Sequence, residues 1–456
     1  MKTRPSLLPN LTGLAIALIL TACNMPGNAA IGFVPSAPPS APLLATDTPA
    51  SGAMAVSPYP SPIVAQPSQT DTPPEPTALP IALLPTPVIG PSIAHLAPGK
   101  KFDITYIHMA DGRQGWGIGG LSQASDHVFH TKDAGQTWQD VTPPQPAADQ
   151  GQQLQALGAF RSAASAWVIF SLEGPTPAPQ TSLIWYTTDG GQSWKYSALD
   201  TSEFQETFMP SDMVFVDGQH GWFLAHVGAG MNHDYVAIIS TSDGGQSWKV
   251  ILDPFQDGGI QSCPKHAMLY ADTQTGWLTQ DCIGPQAPPA LFKTTDGGTT
   301  WQPIEMPAPV AGYFDNNSCG MHAGFLFSAT SAIFSMQCLD NDTFKIEHDF
   351  LYSTTDGGGS WKAHALPSDF KILDLPSGGL YFIDADHGMA LGRGIYRTAD
   401  GGKTWSVAKQ VNWDGQFSFL DLNLGWAVAT NAGQIALVKT INGGSTWTEI
   451  KPVVVP

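Results

Sequence analysis

Seven copies of one turn-and-tryptophan motif, a second turn repeat placed between them, and a glycine-rich, charge-poor composition predict an all-β fold. The architecture they imply is a seven-bladed β-propeller of four-stranded antiparallel blades, preceded by a disordered proline-rich linker. The clearest copies of the first motif are Thr187–Trp194 (TTDGGQSW) and Thr294–Trp301 (TTDGGTTW). Its acidic or amide residue falls at Asp133, Asp189, Asp243, Asp296, Asp356, Asp400 and Asn442. Five residues on stands a tryptophan: Trp138, Trp194, Trp248, Trp301, Trp361, Trp405 and Trp447. A glycine follows each Asp or Asn by two residues, and a Ser or Thr precedes each Trp.

The chemistry of this stretch is that of a hairpin. Asp-Gly and Asn-Gly favour turns whose φ is positive, which glycine adopts without steric cost. The carboxylate or amide accepts hydrogen bonds from turn N–H groups, and the Ser/Thr hydroxyl supplies another. The Trp then anchors the next strand. These fourteen Asp, Asn and Trp residues are therefore read as structural.

In chain order, residues 1–22 read as an export signal. Lys2 and Arg4 form the positive start, and Leu11–Leu20 is apolar but too short to span a bilayer stably. The run ends Leu20-Thr21-Ala22-Cys23, which resembles a bacterial lipobox. That resemblance implies lipidation of Cys23 and an extracytoplasmic protein tethered to the bacterial cell membrane. Residues 23–98 form the linker. Positions 24–98 hold 18 of the 39 prolines and only three charges, Asp47, Asp71 and Glu75, too little to build a core. Extended as polyproline, the linker reaches up to about 200 Å.

Residues 99–456 are the propeller. Ahead of each Asp-containing motif comes a second turn, clearest at Asp111…Gly115-Trp116, Asp217…Gly221-Trp222, Asp272…Gly276-Trp277 and Asp421…Gly425-Trp426. Asp384…Gly388-Met389 is a variant, and Ser162/Trp167 and Ser328/Ile333 are degenerate forms. Apolar runs flank each one, so every repeat holds two hairpins and four strands, A to D. The successive spacings of 56, 54, 53, 60, 44 and 42 residues give one blade per repeat. Ring closure is left to the residues near Pro91 or to the tail Pro452–Pro456. Strand alternation places the tight turns on one face and the long connections on the other, around 171–182, 226–235, 253–265, 303–318 and 338–349. A binding site belongs on those long loops or at the mouth of the central channel.

Cys263 and Cys282 are 19 residues apart, as are Cys319 and Cys338, at equivalent places on strands A and B of adjacent blades. Four cysteines allow three pairings, and the symmetry favours Cys263–Cys282 and Cys319–Cys338. Export is compatible with disulfides. A metal centre at these cysteines with His266 or His322 lacks the usual close ligand spacing. Loop residues His226, His233, Asp234 and His266, and the acidic run at Asp340–Asp342, read as solvated side chains, so no metal or cofactor is expected. The net charge of −18 and the lack of a basic stripe argue against a nucleic-acid partner.

The Asp-Gly motif resembles the Asp-box, or BNR repeat, of sialidase-like β-propellers. A sialidase site would imply three arginines on the substrate carboxylate, a tyrosine nucleophile and an acidic partner. The propeller has only Arg113, Arg161, Arg393 and Arg397, and Arg393 alone is on the loop side. A carboxylate-pair glycosidase needs two acids about 5–10 Å apart. Asp234, Asp281, Asp340, Asp342, Glu347 and Asp349 are the loop-side candidates for that alternative.

With Gly115-Trp116, Gly221-Trp222, Gly276-Trp277 and Gly425-Trp426 each ahead of an Asp-Gly motif, the chain is also similar to the photosystem II assembly and stability factor family. That resemblance implies a single propeller that binds a membrane-protein client and does no chemistry. The family carries a basic, arginine-rich patch, and this chain is acidic and arginine-poor, so the client stays open. The expectation is a monomeric, non-enzymatic scaffold holding a protein client or surface glycan on its long-loop face.

Overall fold

The computed structural model describes residues 92–456, apart from 150–151, 175–178, 205, 231–232, 256–259, 261–262, 282–288, 344 and 368–378. The expected export signal, Cys23, the expected linker up to residue 91 and Cys282 lie outside the described residues.

Seven antiparallel sheets follow one another along the chain. Blade 1 is β1 (Asp103–Met109), β2 (Gly115–Gly120), β3 (His127–Thr131) and β4 (Thr137–Asp140). Blade 2 is β5 (Leu154–Phe160), β6 (Ala166–Leu172), β7 (Thr181–Thr187) and β8 (Lys195–Asp200). Blade 3 is β9 (Met209–Phe215), β10 (Gly221–Gly230), β11 (His233–Thr241) and β12 (Lys249–Leu252). Blade 4 is β13 (Lys265–Tyr270), β14 (Gly276–Gln280), β15 (Ala290–Thr294) and β16 (Gln302–Glu305). Blade 5 is β17 (Asn317–Leu326), β18 (Ala332–Asp340), β19 (Ile346–Thr354) and β20 (Lys362–Ala365). Blade 6 is β21 (Leu380–Phe382), β22 (Gly388–Leu391), β23 (Gly394–Thr398) and β24 (Ser406–Gln410). Blade 7 is β25 (Asp414–Phe419), β26 (Gly425–Asn431), β27 (Gln434–Thr440) and β28 (Thr448–Ile450). Two 3₁₀ turns, Leu121–Gln123 and Tyr313–Asp315, are the only helical elements among the described residues.

The burial of each strand follows its place in the blade. The second strands are covered on both faces by neighbouring blades and read as almost unbroken apolar runs, such as AWVIFSL in β6. Outer strands face solvent, and β24 carries no buried residue. The apolar side chains form seven separate clusters, one for each blade interface. The blade 2–3 cluster sets Trp167 and Ile184 against Phe208 and Phe223. The blade 7–1 cluster sets Trp426 and Leu437 against Phe102 and Trp138. The core is thus a ring of wedges, and no blade buries its own faces.

The tail closes the ring. β29 (Val453–Val455) adds in parallel to β4 as a fifth, outer strand of blade 1, and its middle residue Val454 is buried. Its other edge exchanges Gly99 N–H to Val454 O (2.8 Å) and Val454 N–H to Lys100 O (3.0 Å). Ahead of these, Ile93 N–H donates to Gln145 O (2.9 Å) and Leu96 N–H to Asp140 Oδ2 (2.8 Å). Of the two closing segments the sequence offers, both run along blade 1, and the tail contributes the strand.

Candidate functional site

The repeated Asp turns are fully engaged in holding the hairpins. In the turn of blade 4, Asp296 Oδ1 accepts the Thr300 N–H (2.9 Å) and Oδ2 the Thr300 hydroxyl (2.6 Å). The Thr294 hydroxyl donates to Asp296 Oδ1 (2.8 Å) and accepts the Gly298 N–H (2.9 Å). The same bonds recur around Asp133, Asp189, Asp243, Asp356 and Asp400. At Asn442 the side-chain amide donates instead to the Thr446 hydroxyl (2.9 Å). The two residues after Asp296 have φ of 74° and 96°, which is why glycines stand there. Hydrogen bonds from Ser360 and Thr404 hold Asp356 and Asp400 down to about 2. Of the seven motif tryptophans, Trp138 and Trp301 are buried, and Trp194, Trp248, Trp361, Trp405 and Trp447 are half-buried.

The second repeat makes the same kind of turn in all seven blades. Asp111, Asp217, Asp272, Asp384 and Asp421 each accept two backbone N–H groups, and Ser162 and Ser328 do so through a hydroxyl. Its tryptophan reaches the next blade. Trp167, Trp222 and Trp426 donate Nε1–H to the carbonyls of Gly244, Gly297 and Ala134, the residue after the turn Asp of the following blade. In blade 4 that role passes to Lys293, whose ammonium lies over Trp277 and bonds the Gly357 carbonyl (2.7 Å).

With the turns accounted for, the opposite face carries the variable chemistry. Blades 3 and 5 have the longest middle strands, β10 with β11 and β18 with β19. In blade 3, His226 Nδ1 meets Asp234 Oδ1 at 2.8 Å, and Asp234 Oδ2 accepts the Lys265 N–H (2.9 Å). Burial pushes the Asp234 pKa up, but the bond and charge of His226, with Lys265, outweigh it and hold the carboxylate below its ordinary value. Lys265 is buried with its ammonium on the Cys263 carbonyl (2.8 Å), and desolvation lowers it to about 8.

The other loop-side acids are dispersed. Asp281 stands 3.8 Å from His266 Nε2, whose ring lies 5.1 Å from that of His322. Asp340 Oδ1 caps its own loop through the Thr343 hydroxyl (2.7 Å) and N–H (2.6 Å). Asp342 is exposed, Asp349 is buried in β19, and the Glu347 side chain lies outside the described residues. Among the described residues no group of three or more His, Cys, Asp or Glu is placed to hold a metal ion. Arg393 forms a two-bond pair with Asp414 (2.8 and 2.7 Å). Arg161 and Arg397 bond backbone carbonyls of Val216 and Asn442, and Arg113 is exposed in its turn. Cys319 and Cys338 are directly opposite on β17 and β18 and form a disulfide. Cys263 is also disulfide-bonded; its expected partner, Cys282, falls outside the described residues.

Two features escaped the sequence. On the inner strands, Asp212 of blade 3 accepts the Met268 N–H of blade 4 (2.7 Å), and burial pushes it up to about 6 against the pull of the Met268 and Met213 amides. Gln416 does the same between blades 7 and 1, exchanging bonds with Ile107 N–H (2.8 Å) and Ile107 O (3.1 Å). Neither stands out in a strand of mixed polarity. The other is the threonine opening each Asp turn, whose sevenfold recurrence was the available signal.

Fold and site together define a seven-bladed propeller with one face of tight, self-satisfied turns and one of long, variable hairpins. No protein-family model matches the chain. Over 280 residues, 59% of this chain and 70% of the relative, it is 25% identical to the photosystem II assembly lipoprotein Ycf48 of Synechococcus sp. (strain CC9902). Among solved structures it is similar to one described as YCF48 bound to D1 peptide, with 17% identity and a TM-score of 0.47 over 79% of this chain and all of that one. It is similar as well to a Niastella koreensis GH74 enzyme, with 13% identity and a TM-score of 0.32 over 76% of this chain and 62% of that one.

Proposed function

We propose that this chain is a membrane-anchored extracytoplasmic lipoprotein whose Asp-box propeller holds a protein client on the long-loop face, without catalysis. The observation that carries the reading is the 25% identity over 280 residues to a photosystem II assembly lipoprotein. Two features of the chain agree with it. The repeated acids have both oxygens bonded within their turns, leaving them no part in chemistry, and the loop-side acids Asp234 and Asp340 are likewise bonded to their own surroundings. The lipobox-like Leu20–Cys23 supplies the anchor, and the proline-rich segment after it supplies the reach.

The test is mild cross-linking of the native protein in its membrane, followed by affinity isolation and mass spectrometry. The expected result is a stoichiometric protein partner retained through washing, with the propeller released to the soluble fraction by Cys23→Ser. No partner, together with glycoside turnover that is lost when Asp234 or Asp281 becomes an amide, would replace the scaffold by the glycosidase alternative.

A further inference from the structure

Alternate residues of the blade 3 hairpin face opposite ways. Asp234 turns in to His226 and Lys265, while His233 on one side of it is exposed and Tyr235 on the other half-exposed. Tyr235 lies over the backbone of the facing strand, where a Cβ on Gly228 would come within 3.4 Å of its ring. Phe255, just beyond β12, is 56% exposed, with its ring 5.5 Å from that of Tyr235 and tilted by 34°. His233 stacks on Tyr235 at 6.3 Å. The Glu206 carboxylate joins them: its Oε2 is 2.8 Å from the same Gly228 Cβ position, so glycine is what lets carboxylate and ring sit side by side.

We propose that this shelf of Tyr235, Phe255 and Glu206 receives an arginine-bearing segment of the client. The proposal rests on the client-binding reading above and names the chemistry of what is bound. Aromatic faces attract cations, and a guanidinium is flat enough to stack there while its N–H groups reach a carboxylate. Lys265 has its ammonium on the Cys263 carbonyl. The chain's net charge of −18 draws such a partner in. An apolar partner would bury Glu206 against nothing, at a cost.

The experiment is calorimetric titration of the full chain with a short arginine-containing peptide and with its citrulline counterpart, which keeps the shape and loses the charge. The arginine peptide is expected to bind, more weakly as salt rises, and the citrulline peptide to bind about tenfold more weakly. Phe255→Ala and Glu206→Gln are each expected to weaken the arginine peptide by about as much, with melting temperatures unchanged because both side chains are exposed. Equal binding of the two peptides, indifference to both variants, or uptake of a neutral oligosaccharide in place of the peptide would overturn the proposal. Failure here is separable from failure of the scaffold reading. A Phe255→Ala/Glu206→Gln double variant that still cross-links the wild-type client removes the shelf and keeps the client; a wild-type protein that cross-links nothing removes the client itself.

Discussion

In each of the seven Asp turns a threonine hydroxyl stands between the carboxylate or amide oxygen and a glycine amide. For Thr294, 1% exposed, replacement by valine keeps the volume and strands the Gly298 N–H in a buried place. Thr294→Val is expected to cost about 2 kcal/mol in urea denaturation, and Thr294→Ser much less. A loss no larger than that of the serine variant would mean the bridge contributes nothing. Single residues also set the response to pH, in opposite senses. Asp356 and Asp400 lie near 2, below the ordinary 3.8, so their contribution is present above about pH 4 and lost as pH falls. Asp212, raised to about 6, binds its proton more tightly when folded, so its contribution is greatest below about pH 4 and declines until pH 6. Asp212→Asn keeps an acceptor for the Met268 amide and removes the titration. Its urea midpoint is expected to stay level between pH 4 and 6 relative to wild type. An identical pH slope in both proteins would show that Asp212 is not the group responsible.

At the scale of elements, legibility divided along sequence distance. The hairpins were readable because each turn's chemistry lies within a few residues: Asp296 bonds only Thr294 and Thr300 side chains and their neighbours. The degenerate turns at Ser162 and Ser328 were placed by register alone, and a serine hydroxyl there accepts the same two amides as an aspartate. The disulfide between Cys319 and Cys338 was legible because two blades repeat one spacing. Closure was not, because β29 pairs with β4 across more than 300 residues, Val454 facing Trp138, and a three-valine tail carries no turn signal to say where it goes. The shelf was hidden for the same reason, since Tyr235 and Phe255 stand 20 positions apart on different strands' ends. The tail offers a direct measurement. Val454→Asp puts a carboxylate where 2% of the side chain is exposed and is expected to cost about 3 kcal/mol. Ending the chain after Lys451 is expected to lower the melting temperature and, by opening the β4 edge, to promote self-association in size-exclusion chromatography. Unchanged melting and a single monomer peak for the shortened chain would mean that the blade 7–1 cluster closes the ring unaided.

At the scale of the whole molecule, stability and recognition are, on the proposed function, divided between the two faces. Blade after blade is tied on the turn side by a donor onto its neighbour, as with Trp167 on Gly244, Lys293 on Gly357 and Arg397 on Asn442. On the long-loop side the blade 3 hairpin and the segment after it carry His233 and Phe255 exposed and Tyr235 half-exposed. A ring of seven wedges tolerates this arrangement because each interface is buried independently of what the loops present. Variants of the two faces should then separate cleanly. Thr294→Val and Trp167→Phe, which loses the Nε1–H bond to Gly244 and part of a buried ring, are expected to lower the urea midpoint and leave client retention per folded molecule as it was. Phe255→Ala is expected to leave the midpoint alone and reduce retention. Retention measured by quantitative cross-linking at a temperature where all three variants are folded decides it. If the turn-face variants lose client while folded, the client sits on the tight turns, and the assignment of recognition to the long loops fails with it.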